Sequence, residues 1–435
     1  MPAVTATGSA TARIGEQVPK QRETTLWHSQ AHMPTVKSGE RVIVRGEGAY
    51  VFTEDGQRLL DAPATLWHCN VGHGRAEIAD AVAAQMRTLE TFSTFQEYTN
   101  RPALELAERV AALAPVANAK VFFTSGGSDA VDLAAKLARR YWTALGFADK
   151  RLLVSRTNAY HGLHAYGTSI AGIEANRVGY GTLIADTERV AMNDAGALER
   201  LVRDRGADSI AAFYCEPVIG TGGIYPPEPG YLEAVQRICR ENDILLVVDE
   251  VITGFGRTGA MFASERYGLE PDIMLVAKGI TSGYLPLGGA IIADRVWEPF
   301  WADESELVFR HGITYAGHAS VCVAAMANID ILERERLVDR VKSLEPVLEG
   351  AFRPLESHEL VKEVRSGVGL LTGVELHDPA LVPRVCARCV ENGVIARTLS
   401  NATIQVSPPF VIEAAEIEHL AEVIGEALTW AASAS

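Results

Sequence analysis

The feature that most limits the fold of this chain is an alternation of short apolar segments with longer amphipathic ones between residues 120 and 278. The apolar segments are rich in β-branched residues and bounded by turn residues, which is typical of buried parallel strands. Repetition of strand, helix and strand requires right-handed crossovers and predicts an α/β fold with a mainly parallel sheet. The predicted strands are 120–124, 151–155, 210–215, 244–249 and 272–277, and the helices predicted among them are 129–145 and 231–242.

Two of these predicted strands end in an ionisable residue, Asp249 and Lys278. Ligands of open α/β sheets bind at the carboxyl ends of the strands. The two side chains could neutralise each other as a structural ion pair, although burying such a pair often gives no net stability. They could instead hold a ligand between them. Their position on one sheet edge, near a glycine-rich turn, favours a functional site.

The two ends of the chain have a different pattern. Residues 1–24 are predicted to form a flexible tail. Residues 25–65 contain three short strand patterns that predict an antiparallel meander, with Asp55-Gly56 as a hairpin turn. Helices are predicted at 329–354, 380–393 and 414–432, with strands near 360–365, 369–375 and 403–406. We therefore predict a large domain over 66–328 and a small α+β domain built from residues 25–65 and 329–435.

Composition excludes several classes of partner. The net charge is −15 and no basic stripe interrupts it, which argues against nucleic acid and anionic membranes. No apolar run approaches the roughly 20 residues of a membrane span, and the N-terminus does not read as a secretion signal. Six cysteines scattered over 435 residues fit reduced thiols. A cytoplasmic protein is the prediction.

Two glycine-rich turns could bind phosphate. Ser125–Ser128 lies between a predicted strand and helix, where backbone N–H groups and the helix dipole attract anions. The alternative is a plain turn in which Ser128 caps the helix. Gly254–Gly259 matches G-x-G-x-x-G, but the helix after it is too short and Asp249-Glu250 before it would repel a pyrophosphate. Dinucleotide binding is therefore not predicted.

Metal binding is not predicted either. His161 and His164, or His311 and His318, have no carboxylate or cysteine at matching spacing, so roles in hydrogen bonding are favoured. Cys386 and Cys389 form a C-x-x-C on a predicted helix, with no second pair to complete a zinc site.

Taken together, these motifs resemble the class III aminotransferases, which have fold type I and use pyridoxal 5′-phosphate (PLP). The resemblance covers roughly residues 25–430. Within this family, the chain is most similar to the ω-amine:pyruvate transaminases, although that narrower match is less specific. It implies a large domain with helices on both faces of its sheet and a small α+β domain. The segments that carry it are Thr124–Ala130, Tyr160–Gly162, Glu216-Pro217, Val248–Gly259, Ala277–Gly279 and Gly312–His318.

The resemblance implies a role for each residue at the strand ends. Lys278 would bind PLP covalently and later move a proton at the substrate carbon. Asp249 would pair with the pyridine nitrogen and keep it protonated, so that the ring withdraws electrons. Val251 would pack on one face of the ring and Tyr160 on the other.

The remaining cofactor contacts come from four other segments. Gly127 and Ser128 would hold the phosphate, and Thr314 of a neighbouring subunit would complete that site, which implies a homodimer with a shared active site. His161 is expected to contact the cofactor as part of its motif. Glu216 would lie near the hydroxyl side of the ring.

Substrate choice follows from weaker matches. Relatives that handle ornithine or GABA have a glutamate that pairs with a substrate-binding arginine, where this chain has Thr221. An unpaired Arg397 matches the mobile arginine of the ω-transaminases and could clamp the carboxylate of pyruvate or alanine. Trp67 matches an aromatic residue of the pocket wall, and Tyr160 would also face the substrate. Ser125–Asp129 and Ile219 depart from the usual family sequence.

The sequence thus predicts a homodimeric PLP-dependent aminotransferase that moves an amino group from an ω-amino acid or primary amine to pyruvate. Within the fold, the alternatives are a biosynthetic aminotransferase of the diamine, GABA or ornithine type, using 2-oxoglutarate, and a PLP aminomutase. Other classes are a PLP-binding protein without turnover and a dinucleotide-dependent reductase.

Overall fold

A computed structural model of the protein describes residues 24–433. The predicted flexible tail therefore lies almost entirely outside the described residues. Each helix within residues 24–433 is either too short or too polar to span a bilayer.

The strands fall in three sheets. In chain order they are β1 (Ile43–Glu47), β2 (Tyr50–Thr53), β3 (Arg58–Asp61), β4 (Lys120–Thr124), β5 (Leu152–Arg156), β6 (Thr187–Val190), β7 (Ile210–Cys215), β8 (Leu245–Asp249), β9 (Ile273–Val276), β10 (Gly288–Ile292), β11 (Val361–Arg365), β12 (Thr372–Leu376), β13 (Val394–Ile395), β14 (Arg397–Leu399) and β15 (Thr403–Val406).

The helices flank these sheets. They are α1 (Met33–Gly39), α2 (Ala64–Trp67), α3 (Ala76–Thr88), α4 (Arg101–Leu113), α5 (Gly127–Ala144), α6 (Ala165–Ile170), α7 (Ala195–Arg205), α8 (Tyr231–Glu241), α9 (Ala263–Tyr267), α10 (Asp294–Trp301), α11 (Ala319–Arg334), α12 (Leu337–Phe352), α13 (Val382–Glu391) and α14 (Ala414–Ser433).

The large sheet has seven strands in the order β4-β10-β9-β8-β7-β5-β6, and all pairs are parallel except those of β10. β8 is buried along its whole length. Leu245 and Val247 pack with residues of α5, whereas Leu246 and Val248 pack with residues of α8. The apolar run is continuous because both faces of the strand are covered by helices. The predicted α/β fold with a mainly parallel sheet is confirmed.

Pairing of β8 with β9 positions the two ionisable residues. Asp249 lies opposite Leu275, three residues before Lys278. Lys278 follows β9 in a short 3-10 turn and has a φ of 46°. Both residues therefore lie at the same carboxyl edge of the sheet, as the sequence predicts.

The two smaller sheets come from the ends of the chain. The predicted meander forms as β1-β2-β3, and β13 from the C-terminal part joins β3 in parallel. The other sheet has the order β11-β12-β15-β14. The limits of the predicted domains stay a prediction, although the first of these sheets already joins residues from both ends of the chain.

Two local predictions were wrong, and one strand of the large sheet was missed. The helix predicted over 329–354 is two helices, α11 and α12, because Arg336 between them takes a left-handed φ of 52°. α5 begins at Gly127 rather than at Asp129, with Gly126 as its N-cap, so Ser128 is a residue of the first turn and not the cap. The antiparallel strand β10 was not predicted, and it separates β4 from β9.

Candidate active site

A cavity of about 400 Å³ opens at the carboxyl edge of β8 and β9. Its walls come from the turns after several strands of the large sheet, the first turn of α5 and the loop that follows Lys278. Most of the residues predicted for the cofactor line it together, although they are far apart in sequence. These are Gly127, Ser128, Tyr160, His161, Glu216, Asp249, Val251 and Lys278.

Lys278 lines this cavity. Burial lowers the pKa of Lys278 to about 8, and the carboxylates of Asp249 and Glu216 limit the decrease. A lysine with a pKa near 8 has a sizeable neutral fraction at neutral to mildly alkaline pH, and the neutral amine is the nucleophile.

Asp249 is paired with His161. Its Oδ2 lies 2.8 Å from Nδ1 of His161, and both side chains are buried. Its Oδ1 accepts a hydrogen bond from the backbone N–H of Val251 at 3.1 Å. Within residues 24–433 no ion pair joins Asp249 to Lys278, so the structural ion pair considered from the sequence does not form there.

Glu216 lies fully buried at the end of β7. Its carboxylate accepts hydrogen bonds from the backbone N–H groups of Tyr160, at 3.0 Å, and Gly220, at 2.9 Å. Burial raises the pKa of Glu216, an effect that His161 opposes. The side chain therefore holds the backbone before the Tyr160 ring and the loop that leads to Thr221.

The first turn of α5 forms a cradle for an anion. Gly126 has no side chain to cap the helix, and an added Cβ there would meet nothing within 4 Å. The first N–H groups of a helix have no intrahelical acceptor and attract negative charge. An added Cβ on Gly127 would lie 3.0 Å from Val251, and one on Gly162 would lie 2.3 Å from Oγ of Ser128. Glycine is thus required where the walls of the cradle meet.

Four predicted substrate or partner residues do not line this cavity, namely Trp67, Thr221, Thr314 and Arg397. Thr314 is exposed at the surface, and Thr221 is half-buried. Trp67 is 2% exposed and packs in an apolar cluster with Ile252, which itself lines the cavity. The structure places Trp67 behind the wall rather than on its surface, because three residues of its loop have positive φ.

Arg397 lies close to the site on β14. Burial lowers the pKa of Arg397, and Tyr160 opposes this effect. The guanidinium also contributes to the lowered pKa of Lys278, as the last of four causes. Its Nη1 donates a hydrogen bond to Oε1 of Gln405 at 3.1 Å.

Several cavity residues were not predicted from the sequence, and His68 and Tyr284 are two of them. His68 lines the cavity next to Gly283, and burial lowers the pKa of its imidazole. The Tyr284 hydroxyl donates to the carbonyl of Gly72 at 2.9 Å and accepts from the N–H of Arg75 at 2.7 Å. The adjacent Trp67-His68 pair was the available signal for His68, whereas nothing in the sequence marks Tyr284.

The candidate metal ligands have other partners. His161 pairs with Asp249, His164 lies 3.3 Å from Asp129, and Cys386 and Cys389 are buried free thiols. Among the described residues, one mixed group brings donor atoms within 4.8 Å of each other, namely Asp61, Cys69 and His73. In this group His73 and Asp61 already contact each other at 2.9 Å. The buried Arg257 nearby supplies a positive charge, which disfavours a bound cation.

The G-x-G-x-x-G segment does not precede a usable helix terminus. α9 has five residues, and its first N–H groups, those of Ala263 and Ser264, donate to the buried carboxylate of Glu250 at 3.1 and 2.6 Å. A carboxylate therefore occupies the position that a pyrophosphate would need. This segment is therefore not built to bind a dinucleotide.

Comparison with known proteins identifies the family. Residues 33–428 match the family model described as aminotransferase class-III. The chain belongs to the class III aminotransferases. A putrescine–pyruvate aminotransferase from Pseudomonas aeruginosa is 35% identical over 426 residues, with 92% of each chain covered. A diaminobutyrate–2-oxoglutarate transaminase from Halomonas elongata is 34% identical over 440 residues, with 93% of each chain covered.

The fold comparison points to the same family. An amine transaminase from an uncultivated Pseudomonas species, solved in its PLP-bound form, superimposes with a TM-score of 0.87 and is 35% identical. The match covers 95% of this chain and 99% of that one. As a class III aminotransferase, the chain is a PLP-dependent transaminase of fold type I.

The residues present fit PLP. The cofactor needs an amine for covalent attachment, an acid for the ring nitrogen and an anion site for its phosphate. The cavity brings together Lys278, Asp249 and the open start of α5 at Gly126. The closeness of Gly162 to Ser128 shows that this cradle is built without space for an added side chain.

Proposed function

We propose that this aminotransferase moves an amino group from an ω-amino acid or a primary amine to pyruvate in two half-reactions. The observation that carries the proposal is the cavity in which Asp249 is paired with His161 rather than with Lys278. An acid and an amine are thereby held at one sheet edge next to a phosphate cradle, as transamination requires.

PLP, when bound, supplies an aldehyde that reacts with amines and a ring that withdraws electrons. Lys278 would hold it covalently and, once displaced by an amine substrate, would move the proton at the reacting carbon. The lowered pKa of Lys278 leaves more of its amine neutral and able to accept that proton. Asp249, oriented by His161 and by the N–H of Val251, would keep a positive charge on the ring nitrogen.

The walls of the cavity would fix the position of the ring. Val251 and Tyr160 line the cavity and would pack on opposite faces. Gly127 and Ser128 would bind the phosphate through N–H groups and the serine hydroxyl, which already accepts from the N–H of Leu163 at 3.2 Å. Glu216 would act through the backbone of Tyr160 that it holds.

Acceptor choice rests on Arg397 and Thr221. Thr221 carries no charge, so no carboxylate from that position neutralises Arg397. The guanidinium could then bind the carboxylate of pyruvate or alanine in a bidentate manner. The putrescine–pyruvate relative is named for the same acceptor. Trp67 would shape the substrate side indirectly, by supporting Ile252 in the wall.

The proposed enzyme is a homodimer in which Thr314 reaches the phosphate site of the neighbouring subunit. Thr314 does not line the cavity of its own chain. It lies in an exposed loop that packs on the segment around Phe95. The two segments are close enough that an added Cβ on Gly312 would lie 2.7 Å from the Phe95 ring. Around it, large apolar side chains are about half exposed, which is typical of a surface that another subunit covers. These are Phe92, Phe95, Tyr98, Val308 and Tyr315.

Subunit complementation tests this arrangement. Mixed dimers of a Lys278→Ala chain and a Thr314→Glu chain would contain one intact site if Lys278 and Thr314 come from different subunits. We expect mixed dimers, isolated with two affinity tags, to be active, unlike either parent. Mixed dimers no more active than the average of the parents would show that each site is built from one chain.

A cytoplasmic location is also proposed. All six cysteines are free thiols and all are buried. Free thiols are the usual state in a reducing compartment. Fractionation of cells that express the natural protein tests the location, and recovery in an oxidising compartment would contradict it.

The function itself is tested by screening amine donors against two acceptors. The purified holoenzyme should transfer the amino group of putrescine or β-alanine to pyruvate, with kcat/KM for pyruvate at least about tenfold above that for 2-oxoglutarate. A preference for 2-oxoglutarate, the acceptor that names the Halomonas relative, would favour the biosynthetic alternative. Amino-group migration within one substrate would indicate an aminomutase, and a bound cofactor without turnover would indicate a carrier.

A further inference from the structure

The partner of Arg397 is fixed by the pairing of two short strands. β14 and β15 are antiparallel, and Arg397 lies directly opposite Gln405. Side chains of directly opposed residues project from the same face of a sheet and contact each other. Nη1 of Arg397 accordingly donates to Oε1 of Gln405 at 3.1 Å. Gln405 is completely buried, whereas Arg397 is half-buried.

The amide of Gln405 has only one orientation that satisfies its neighbours. Its Nε2 donates to Oγ of Ser407 at 2.7 Å and to the carbonyl of Pro63 at 3.3 Å. A carbonyl oxygen can only accept a hydrogen bond, and a guanidinium can only donate. The amide nitrogen must therefore face Pro63, which leaves the amide oxygen facing Arg397.

The guanidinium is otherwise unpaired within residues 24–433. The bond to Gln405 is its single hydrogen bond to a described residue, and no carboxylate there forms an ion pair with it. Nη1 of Arg397 thus donates to a neutral acceptor, and the other N–H groups of the guanidinium can donate to a substrate. A carboxylate binds such a free fork with charge-assisted hydrogen bonds, roughly twice as strong as neutral ones.

We propose that Gln405 is a positioning residue that orients Arg397 toward the cavity and thereby sets how strongly the enzyme prefers carboxylate-bearing substrates. This inference rests on the proposed function of Arg397 as the carboxylate clamp. A neutral amide suits the task, because it aligns the guanidinium without cancelling the charge that the substrate needs. A glutamate at position 405 would align the guanidinium but would also neutralise its charge.

The test uses the holoenzyme and two amino donors, L-alanine, which has a carboxylate, and putrescine, which has none. Each half-reaction is followed alone by stopped-flow absorbance of the bound cofactor. For Gln405→Met, which keeps the length but removes the amide acceptor, the apparent dissociation constant for L-alanine should rise about fivefold, because the guanidinium loses the hydrogen bond that aligns it. For Gln405→Glu it should rise at least about tenfold, because the new charge competes with the substrate.

For putrescine, both variants should stay within about twofold of the parent, and the rate at saturating L-alanine should be unchanged. Ile404→Val, on the same strand but the opposite face, is the matched control and should alter neither donor. Gln405→Glu buries a charge and could prevent folding. If Gln405→Glu does not fold, the result for Gln405→Met alone tests the inference. Equal losses for both donors, or no loss for L-alanine, would overturn the inference.

Arg397→Ala separates this inference from the function beneath it. If Arg397→Ala impairs L-alanine selectively and the Gln405 variants do not, Arg397 is the clamp and Gln405 does not position it. If Arg397→Ala affects both donors equally, the proposed role of Arg397 itself fails.

Discussion

Oδ2 of Asp249 lies 2.8 Å from Nδ1 of His161, and both side chains are almost completely buried at the carboxyl edge of the sheet. The two residues are 88 positions apart in sequence and reach each other because β8 and the turn after β5 end at the same edge. The imidazole of His161 orients the carboxylate of Asp249, and in the described part of the chain this carboxylate forms no ion pair with Lys278.

Asp249→Asn should reveal the electrostatic role of this pair. An amide cannot hold a positive charge on the ring nitrogen, so kcat should fall by about 10²–10³-fold, the usual cost of removing one electrostatic stabiliser. PLP binding should weaken much less, because the cradle at α5 is intact. Single-turnover rates and equilibrium dialysis measure the two effects. A variant with nearly normal turnover would show that the acid does not tune the ring.

Lys278→Ala should abolish turnover without abolishing cofactor binding. The variant loses both the covalent attachment and the proton carrier, so the rate should fall by about 10⁴-fold or more. Borohydride treatment of the parent should add the mass of the reduced cofactor at Lys278, and the variant should gain none. Lys120→Ala, which removes a lysine outside the cavity, serves as control and should label and turn over normally.

The lowered pKa of Lys278 predicts how cofactor attachment depends on pH. Below a pKa of about 8 the amine is mostly protonated and does not react. The rate at which the cofactor-free protein binds PLP covalently should therefore rise by about 15-fold between pH 6.5 and 8 and level off above pH 9. Stopped-flow absorbance measures this rate. A rise that continues tenfold per pH unit from 8 to 10 would indicate an unperturbed lysine.

The sequence predicts the sheet edge well and its surroundings poorly. Asp249 and Lys278 end buried strands whose composition marks them, so their common edge follows from local pattern alone. The pairing of Asp249 with His161 and of Arg397 with Gln405 depends on which strands become neighbours. The break at Arg336 depends on a single left-handed residue that carries no glycine signal. Such features arise from tertiary packing, which overrides local preference.

Arg397→Ala should separate substrates by their charge. Loss of the guanidinium should raise the KM for pyruvate and L-alanine by about tenfold or more, since a hydrogen bond to a charged group contributes about 1.5–3 kcal/mol. Amines without a carboxylate should be nearly unaffected. Steady-state kinetics with matched donors measure the difference, and Arg384→Ala, whose guanidinium packs near Trp430, is a control arginine away from the cavity.

Gly162→Ala should damage the phosphate cradle. Gly162 has a φ of 80°, and an added Cβ would lie 2.3 Å from Oγ of Ser128, so the serine or the turn must move. We expect the affinity for PLP to fall at least about tenfold, as judged by dialysis and by release of the cofactor at low concentration. Gly146→Ala is a matched control, because Gly146 has a φ of 91° and an added Cβ there meets nothing within 4 Å. Both variants introduce backbone strain, which is about 1–2 kcal/mol for a left-handed alanine. Only Gly162→Ala also displaces Ser128, so equal PLP affinity in the two variants would contradict the role of Ser128 in holding the phosphate.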